Sequence, residues 1–301
     1  MRVLFIVNPV AGGGRGLRVW RAVERALLER GCPAEHRFTG GRGAATELAA
    51  EVRRAGYDRV VGIGGDGTIQ EIVNGLLDEE ARCPTALAVI PGGTGNDFSK
   101  MLGYPQNPLK ALEVALGGRE LTLDVGRIGR RYFINIAGVG FDAEVAAFLN
   151  LRPKRLPGVL TYLFGVLVML FRYRPAPLEL AMDDLTLKEK CLLVSVCNGH
   201  SHAGGMKMCP GARPDDGVLD ICVAGNLSRL ETLMLLPRVF WGGHTRHRKV
   251  RLYRTTEIRI ASRTPLHVQA DGEVLGRLPA EIRIVPGALR VIGPPAAGAV
   301  T

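Results

Sequence analysis

The residues with the clearest chemical task are Gly64-Gly65-Asp66-Gly67-Thr68, which follow the apolar run Val60-Val61-Gly62-Ile63 and precede a helical pattern. Glycines at the carboxyl end of a strand let backbone N–H groups approach phosphate oxygens closely, and the N-terminus of the next helix adds a favourable dipole. An Asp inside such a loop is hard to justify for anion binding alone. It suits a loop in which Mg²⁺ sits between the carboxylate and the phosphates. A plain Asp-Gly turn is the competing reading, weakened by the two preceding glycines and the following Thr. Two further Gly-rich stretches end apolar runs: Asn8 to Gly16 after residues 3–7, and Pro91-Gly92-Gly93-Thr94-Gly95-Asn96-Asp97 after residues 86–90. Neither closely matches the P-loop spacing or the dinucleotide fingerprint. Ligands of open α/β sheets bind at strand carboxyl ends, so three such loops together predict one nucleotide crevice.

Other groups read more plainly. Asp271-Gly272-Glu273 lies between two β runs and by itself reads as a hairpin turn. Lys100 and Lys154 read equally well as solvated charges or as phosphate contacts. His200 and His202 lie near Cys209, but no second ligand pair has zinc spacing. The six cysteines form no Cys-x-x-Cys pair and mostly lie in apolar runs, which predicts reduced, buried thiols in a cytosolic protein.

The loops need strands to hold them. Apolar runs at 3–7, 59–63 and 86–90 alternate with helical patterns at 17–30, 46–55 and 69–77. A weaker strand falls at 34–38, and short helical patterns at 98–102 and 109–116. This alternation predicts a parallel sheet with helices on both faces. Near residue 120 the pattern changes to short β runs between Gly, Pro and Asp-Gly turns, among them 121–128, 132–137, 192–197, 219–224, 257–261 and 281–285. That predicts a mostly antiparallel β-rich domain interrupted by helices around 158–171 and 228–241. A chain of 301 residues accommodates both. The expected division is an α/β nucleotide domain over 1–120 and a β-rich domain over 121–285.

A formal net charge of +10 points to a polyanionic partner: nucleic acid, nucleotide phosphates or an anionic membrane. Only 6% of residues are aromatic, and no stacking or recognition-helix signature is present, which argues against nucleic acid. The uncharged stretch from Leu156 to Phe171 is shorter than the about 20 residues a bilayer span needs. Basic residues flank it, as suits a buried helix or one touching a lipid interface. A second basic run, Gly243 to Lys249, follows Leu230, Leu233, Met234, Phe240 and Trp241 and suits anionic headgroups. The first residues lack the length and cleavage site of a signal peptide.

Together these motifs resemble the bacterial diacylglycerol kinases and related lipid kinases, with sphingosine and ceramide kinases as kin and NAD kinases and phosphofructokinases more distant. Gly64 to Thr68 is common to that wide group. The narrower likeness lies in Pro91 to Phe98, in Asp124-Val125-Gly126 leading to Tyr132-Phe133-Ile134-Asn135, in Gly204 to Asp220, and in Asp271-Gly272-Glu273. It spans Asn8 to about Arg290, with Gln70 where the family usually has Asn and with Ala203 opening a segment often richer in Gly.

The resemblance implies an NAD kinase/phosphofructokinase-like first domain, to which the tail from about 286 to 301 returns. It implies ATP binding by Asn8, Thr39, Gly65, Asp66, Gly67, Thr68, Ile69, Gln70, Glu71 and Thr94. It also implies a general base at Glu273, acting with Asp66 and Asp97, and Lys100 and Lys154 near phosphate. Asp216, with the main-chain carbonyls of Arg213 and Val218, would hold a structural Mg²⁺, and Asp124 would join Asp66 and Asp97 in a metal and water network. The implied activity is transfer of the ATP γ-phosphate to a lipid hydroxyl, first of all diacylglycerol giving phosphatidic acid. Another lipid alcohol, a sphingoid base or NAD is the alternative acceptor. The expected setting is cytoplasmic and peripheral, at the anionic inner face of the membrane, with no nucleic acid partner; a homodimer is compatible with it.

Overall fold

The computed structural model describes residues 1–150, 158–183 and 185–295. The chain divides into two compact units, 1–123 with 287–301, and 124–286.

In the first unit β1 (Val3–Val7), α1 (Ala11–Glu29), β2 (Glu35–Phe38), α2 (Ala44–Arg54), β3 (Arg59–Gly64), α3 (Asp66–Leu76), β4 (Ala86–Pro91), α4 (Asp97–Met101) and α5 (Pro108–Gly117) follow one another. The strands lie in the order β2-β1-β3-β4, all parallel. The returning tail pairs Val291 with Leu87 of β4. The continuous apolar runs of β3 and β4 are those of strands buried on both faces. The periodicity predicts a helix from residue 17, and the right-handed stretch of α1 begins just before it. Gly12, Gly13 and Gly14, with φ of +56, +66 and +88, form a left-handed turn that side chains disfavour and that separates Ala11 from that stretch.

The chain enters the second unit along β5 (Arg119–Ile128), whose last residues pair with β6 (Arg131–Phe133), and continues through β7 (Ile136–Gly140), α6 (Phe141–Asn150) and α7 (Gly158–Arg172). There follow β8 (Ala176–Met182), β9 (Leu185–Cys191), β10 (Leu193–Cys197), β11 (Leu219–Ala224), α8 (Arg229–Leu235), β12 (Val250–Thr255), β13 (Glu257–Ala261), β14 (His267–Ala270), β15 (Glu273–Arg277) and β16 (Ala280–Gly293). One antiparallel sheet runs β12-β11-β10-β7-β14-β15. Against it lie β9-β8-β13 and the first residues of β16, also antiparallel. Val194, Val196 and Ile221 from the first sheet meet Leu180, Ile258 and Ile282 from the second in one apolar core, as in a sandwich.

The antiparallel second domain agrees with the sequence expectation in kind and departs in detail. Helix α6 is not anticipated, because its apolar residues continue those of β7 without a break. The helix expected over 228–241 ends as α8 at Leu235. Pro237 has no N–H to continue it, and the chain goes on as a 3-10 helix over Pro237–Trp241. Strand β9 is largely exposed and charged, so its alternation carries little hydrophobic signal. No helix among the described residues is long and apolar enough to cross a membrane.

Candidate nucleotide and catalytic sites

In the first unit, parallel pairing puts the carboxyl ends of β1, β3 and β4 at one edge of the sheet, and the three Gly-rich loops leave from there. They touch backbone to backbone. A Cβ on Gly93 would lie 2.3 Å from Gly65 Cα, one on Gly12 2.7 Å from Gly92 O, and one on Gly92 3.3 Å from Gly16 Cα. Glycine is therefore required by close approach at Gly93, and by both close approach and positive φ at Gly12. Side chains tie the loops together. Asn8 Nδ2 donates to Thr68 Oγ1 at 2.9 Å, and Gly92 N donates to Gly64 O at 2.8 Å. Asn96 sits left-handed at φ +54, accepts from Gly93 N at 2.9 Å and donates to Gly93 O at 3.1 Å.

Asp66 is the first residue of α3, and its Oδ1 accepts the Phe98 N–H at 3.0 Å. Burial pushes its carboxyl up, and the charge of Asp97 adds to the shift. Asp97, the first residue of α4, is itself buried. Two electrostatically coupled carboxylates of one sign, beside loops suited to phosphate, form a donor set for a hard cation. Mg²⁺ takes one or two carboxylates and fills its remaining positions with phosphate oxygens and water, so these residues fit it.

The other predicted nucleotide residues separate into two groups. Gly67 is exposed in the first turn of α3 and Thr94 in the loop after β4, and Thr39 follows β2, its N–H donating to Val7 O at 2.9 Å. Lys100 is exposed in the last turn of α4. The Ile69 and Gln70 side chains are buried. The Glu71 carboxylate accepts from Gly43 N at 3.0 Å and Ala45 N at 3.3 Å, bracing the start of α2. In these three residues the side chains serve the scaffold. Lys154 lies outside the described residues.

In the second unit Asp271 and Gly272 are the two central residues of the β14–β15 hairpin, with φ of +46 and +84, and Ala270 pairs with Glu273. The hairpin reading is therefore correct for the backbone. It does not exhaust the motif. The Asp271 carboxylate accepts the N–H groups of Ile134, Asn135 and Ile136 at 2.8, 3.1 and 3.0 Å, fixing the chain between β6 and β7. Glu273 forms an ion pair with Arg131 of β6. It faces a groove of about 970 Å³ whose charged walls include Arg127, Arg130, Arg277 and Arg283. Sequence reasoning misses the Asp271 cap and Arg131. An Asp-Gly turn gives no hint of what its carboxylate binds, and Arg131 is 142 residues away in sequence.

Around residues 213–218 the carboxylates are already engaged. Asp216 forms an ion pair with Arg254, and its Oδ1 lies 3.4 Å from Val218 N. Arg213 binds Asp215 at 3.1 Å. Asp124 is buried and accepts Gly217 N at 2.7 Å, while its own N–H donates to Pro214 O at 2.7 Å. Asp124 thus anchors this loop, and Arg254 is the charged partner of Asp216 in the structure.

A narrow pocket of about 70 Å³ lies in the same unit, walled by Leu193, Met206, Leu235 and Val239. Its polar spots are few. Ser195 Oγ is buried with no hydrogen-bond partner among the described residues, and burial pushes His202 down to about 4. Asp142 accepts from Gln269 Nε2 at 3.3 Å, and burial pushes its carboxyl up to about 7. A carboxyl raised in this way binds its proton more tightly folded than unfolded, so stability falls as pH rises from about 4 to about 7. Asp142→Asn removes that loss. Its advantage in melting temperature over the native chain is expected to widen up to about pH 7 and then stay constant. Melting curves across that range check this, and a pH-independent gap contradicts it.

Residues 2–128 match the family model "Diacylglycerol kinase catalytic domain", and residues 135–293 match "YegS C-terminal NAD kinase beta sandwich-like domain". A Mycobacterium tuberculosis protein named diacylglycerol kinase is 33% identical, over 97% of this chain and 95% of the relative. One of the same name from Staphylococcus saprophyticus is 31% identical, over 92% and 90%. The crystal structure of a diacylglycerol kinase from Bacillus anthracis superposes with a TM-score of 0.74 at 25% identity, over 98% of this chain and 97% of that one. A further Bacillus anthracis crystal structure gives 0.79 at 27%, over 98% of both. By motif, fold and likeness over nearly its whole length, the chain belongs to the diacylglycerol kinase family.

Proposed function

We propose that the chain is an ATP- and Mg²⁺-dependent lipid kinase that phosphorylates the hydroxyl of a lipid alcohol, with diacylglycerol as acceptor and phosphatidic acid as product. The observation that carries this reading is the stacking of three glycine loops beside the Asp66 and Asp97 carboxylates. Backbone N–H groups of those loops and the N-terminus of α3 hold the phosphates. Asp66 and Asp97 are the residues that hold Mg²⁺, which when bound neutralises charge on the phosphate oxygens. Thr39, Thr94 and Lys100 contact the nucleotide from the loop edges.

Glu273 takes the hydroxyl proton as the lipid oxygen attacks the γ-phosphorus. A new P–O bond forms, the bond to ADP breaks, and the proton resides on the Glu273 carboxylate. Arg131 positions that carboxylate. The pocket beside Ser195 and Asp142 receives part of the acyl chain, its few polar groups facing the lipid's oxygen atoms. The nucleotide task falls to about 1–120 with the returning tail, and the lipid task to about 121–285. The chain acts peripherally at an anionic membrane, where its acceptor resides, as a monomer or homodimer. Incubation with γ-labelled ATP and a panel of diacylglycerol, other lipid alcohols, a sphingoid base and NAD identifies the acceptor. Label is expected in diacylglycerol, and label in NAD alone contradicts the lipid reading.

A further inference from the structure

Three elements of the second unit are apolar on both faces. α7, α8 and the 3-10 helix at Pro237–Trp241 turn Val166, Leu235 and Val239 toward the pocket. Their other faces carry large apolar residues in water. On α7 these are Phe164, Leu167 and Phe171, and on α8 Leu230, Leu233 and Met234, spaced as one stripe each. Phe240 follows, and then Trp241, which is 66% exposed. The two helices pack on each other, and Arg229 Nη2 donates to Phe171 O at 2.7 Å, so their stripes adjoin. Folded monomers seldom leave so many large apolar side chains together without a partner.

The rim identifies the partner. Arg172, Arg229, Arg238 and Arg246 are exposed around the stripes. Between residues 226 and 250 Glu231 is the sole acid, and Lys249 Nζ holds its carboxylate at 2.8 Å. Aromatic and aliphatic side chains ringed by arginine suit an acyl–headgroup boundary bearing phosphates. The 15-residue α7 is too short to span a bilayer and long enough to lie in its surface.

We propose that this face docks the chain on an anionic bilayer, with α7, α8 and the 3-10 helix in the interfacial plane. A lipid acceptor then passes between these elements into the pocket directly from the bilayer. The passage rests on the lipid-kinase reading; the docking does not.

The chain supplies its own probe. It has two tryptophans, Trp20, which is 1% exposed, and Trp241. The full-length protein is mixed with phosphatidylcholine vesicles with and without phosphatidylglycerol. With the anionic vesicles Trp emission should shift to the blue and be quenched by brominated acyl chains, and salt should reverse this. Arg238→Ala should weaken vesicle binding by about fivefold. A Leu230→Glu, Met234→Glu double variant should abolish it, while a soluble short-chain diacylglycerol is phosphorylated at the native rate. That rate also shows that the double variant is folded. Absence of both shift and quenching at low salt overturns the proposal. So does a lipid-free dimer, seen by light scattering, that buries Trp241 and ignores vesicles. Quenching without phosphorylation of any lipid keeps the docking face and rejects the lipid-kinase reading.

Discussion

Asp66→Asn is expected to lower phosphoryl transfer by about 10²–10³-fold or more while the fold survives. The amide oxygen can still accept the Phe98 N–H that Asp66 Oδ1 accepts at 3.0 Å, so the join between the loops after β3 and β4 persists. What disappears is one of two neighbouring negative charges. If the pair holds Mg²⁺ against the phosphates, the variant should need far more Mg²⁺ and still not recover. Protonation should mimic the substitution. Burial and Asp97 raise the Asp66 carboxyl, so activity should fall on acidification from higher pH than an ordinary carboxylate would give. Turnover measured against Mg²⁺ concentration for both proteins checks this. Native turnover with unchanged Mg²⁺ dependence removes Asp66 from the site.

Glu273→Gln should lower lipid phosphorylation by about 10²–10⁴-fold, the usual contribution of a general base. The hairpin geometry is set by Asp271 and Gly272, both at positive φ, and Gln leaves it intact. ATP affinity should change little, because the glycine loops of the first unit bind the nucleotide in the proposed mechanism. Arg131→Ala should depress kcat more than it raises KM, since Arg131 orients Glu273 and does not touch the reacting atoms in this scheme. Binding and turnover measured separately on the same lipid decide the matter. Near-native turnover in Glu273→Gln leaves the hairpin as the motif's whole purpose.

The fold was legible where chemistry is local. The apolar runs at 3–7, 59–63 and 86–90 correspond to three of the parallel strands, because a strand buried on both faces has no polar alternation to obscure it. The glycine loops are recognisable because only glycine permits the contacts at Gly12, Gly65 and Gly93. What stayed hidden depends on partners distant in sequence. Asp271 looks like a turn residue until its carboxylate is seen on three N–H groups of residues 134–136. Asp216 shows only a carboxylate in the sequence, and the fold adds the Arg254 guanidinium that pairs with it. Glu71 shows only a carboxylate in the sequence, and the fold shows it holding the start of α2. In each case the residue type announces a charge, and only the fold shows what meets it.

The most direct measurement is the transfer of label from γ-labelled ATP to diacylglycerol in detergent micelles, followed by extraction and separation of the lipid. The native chain with Mg²⁺ is predicted to yield labelled phosphatidic acid, with Asp66→Asn and Glu273→Gln near background. Labelled phosphate released to water with none in the lipid fraction, or equal lipid labelling by all three proteins, would contradict the account.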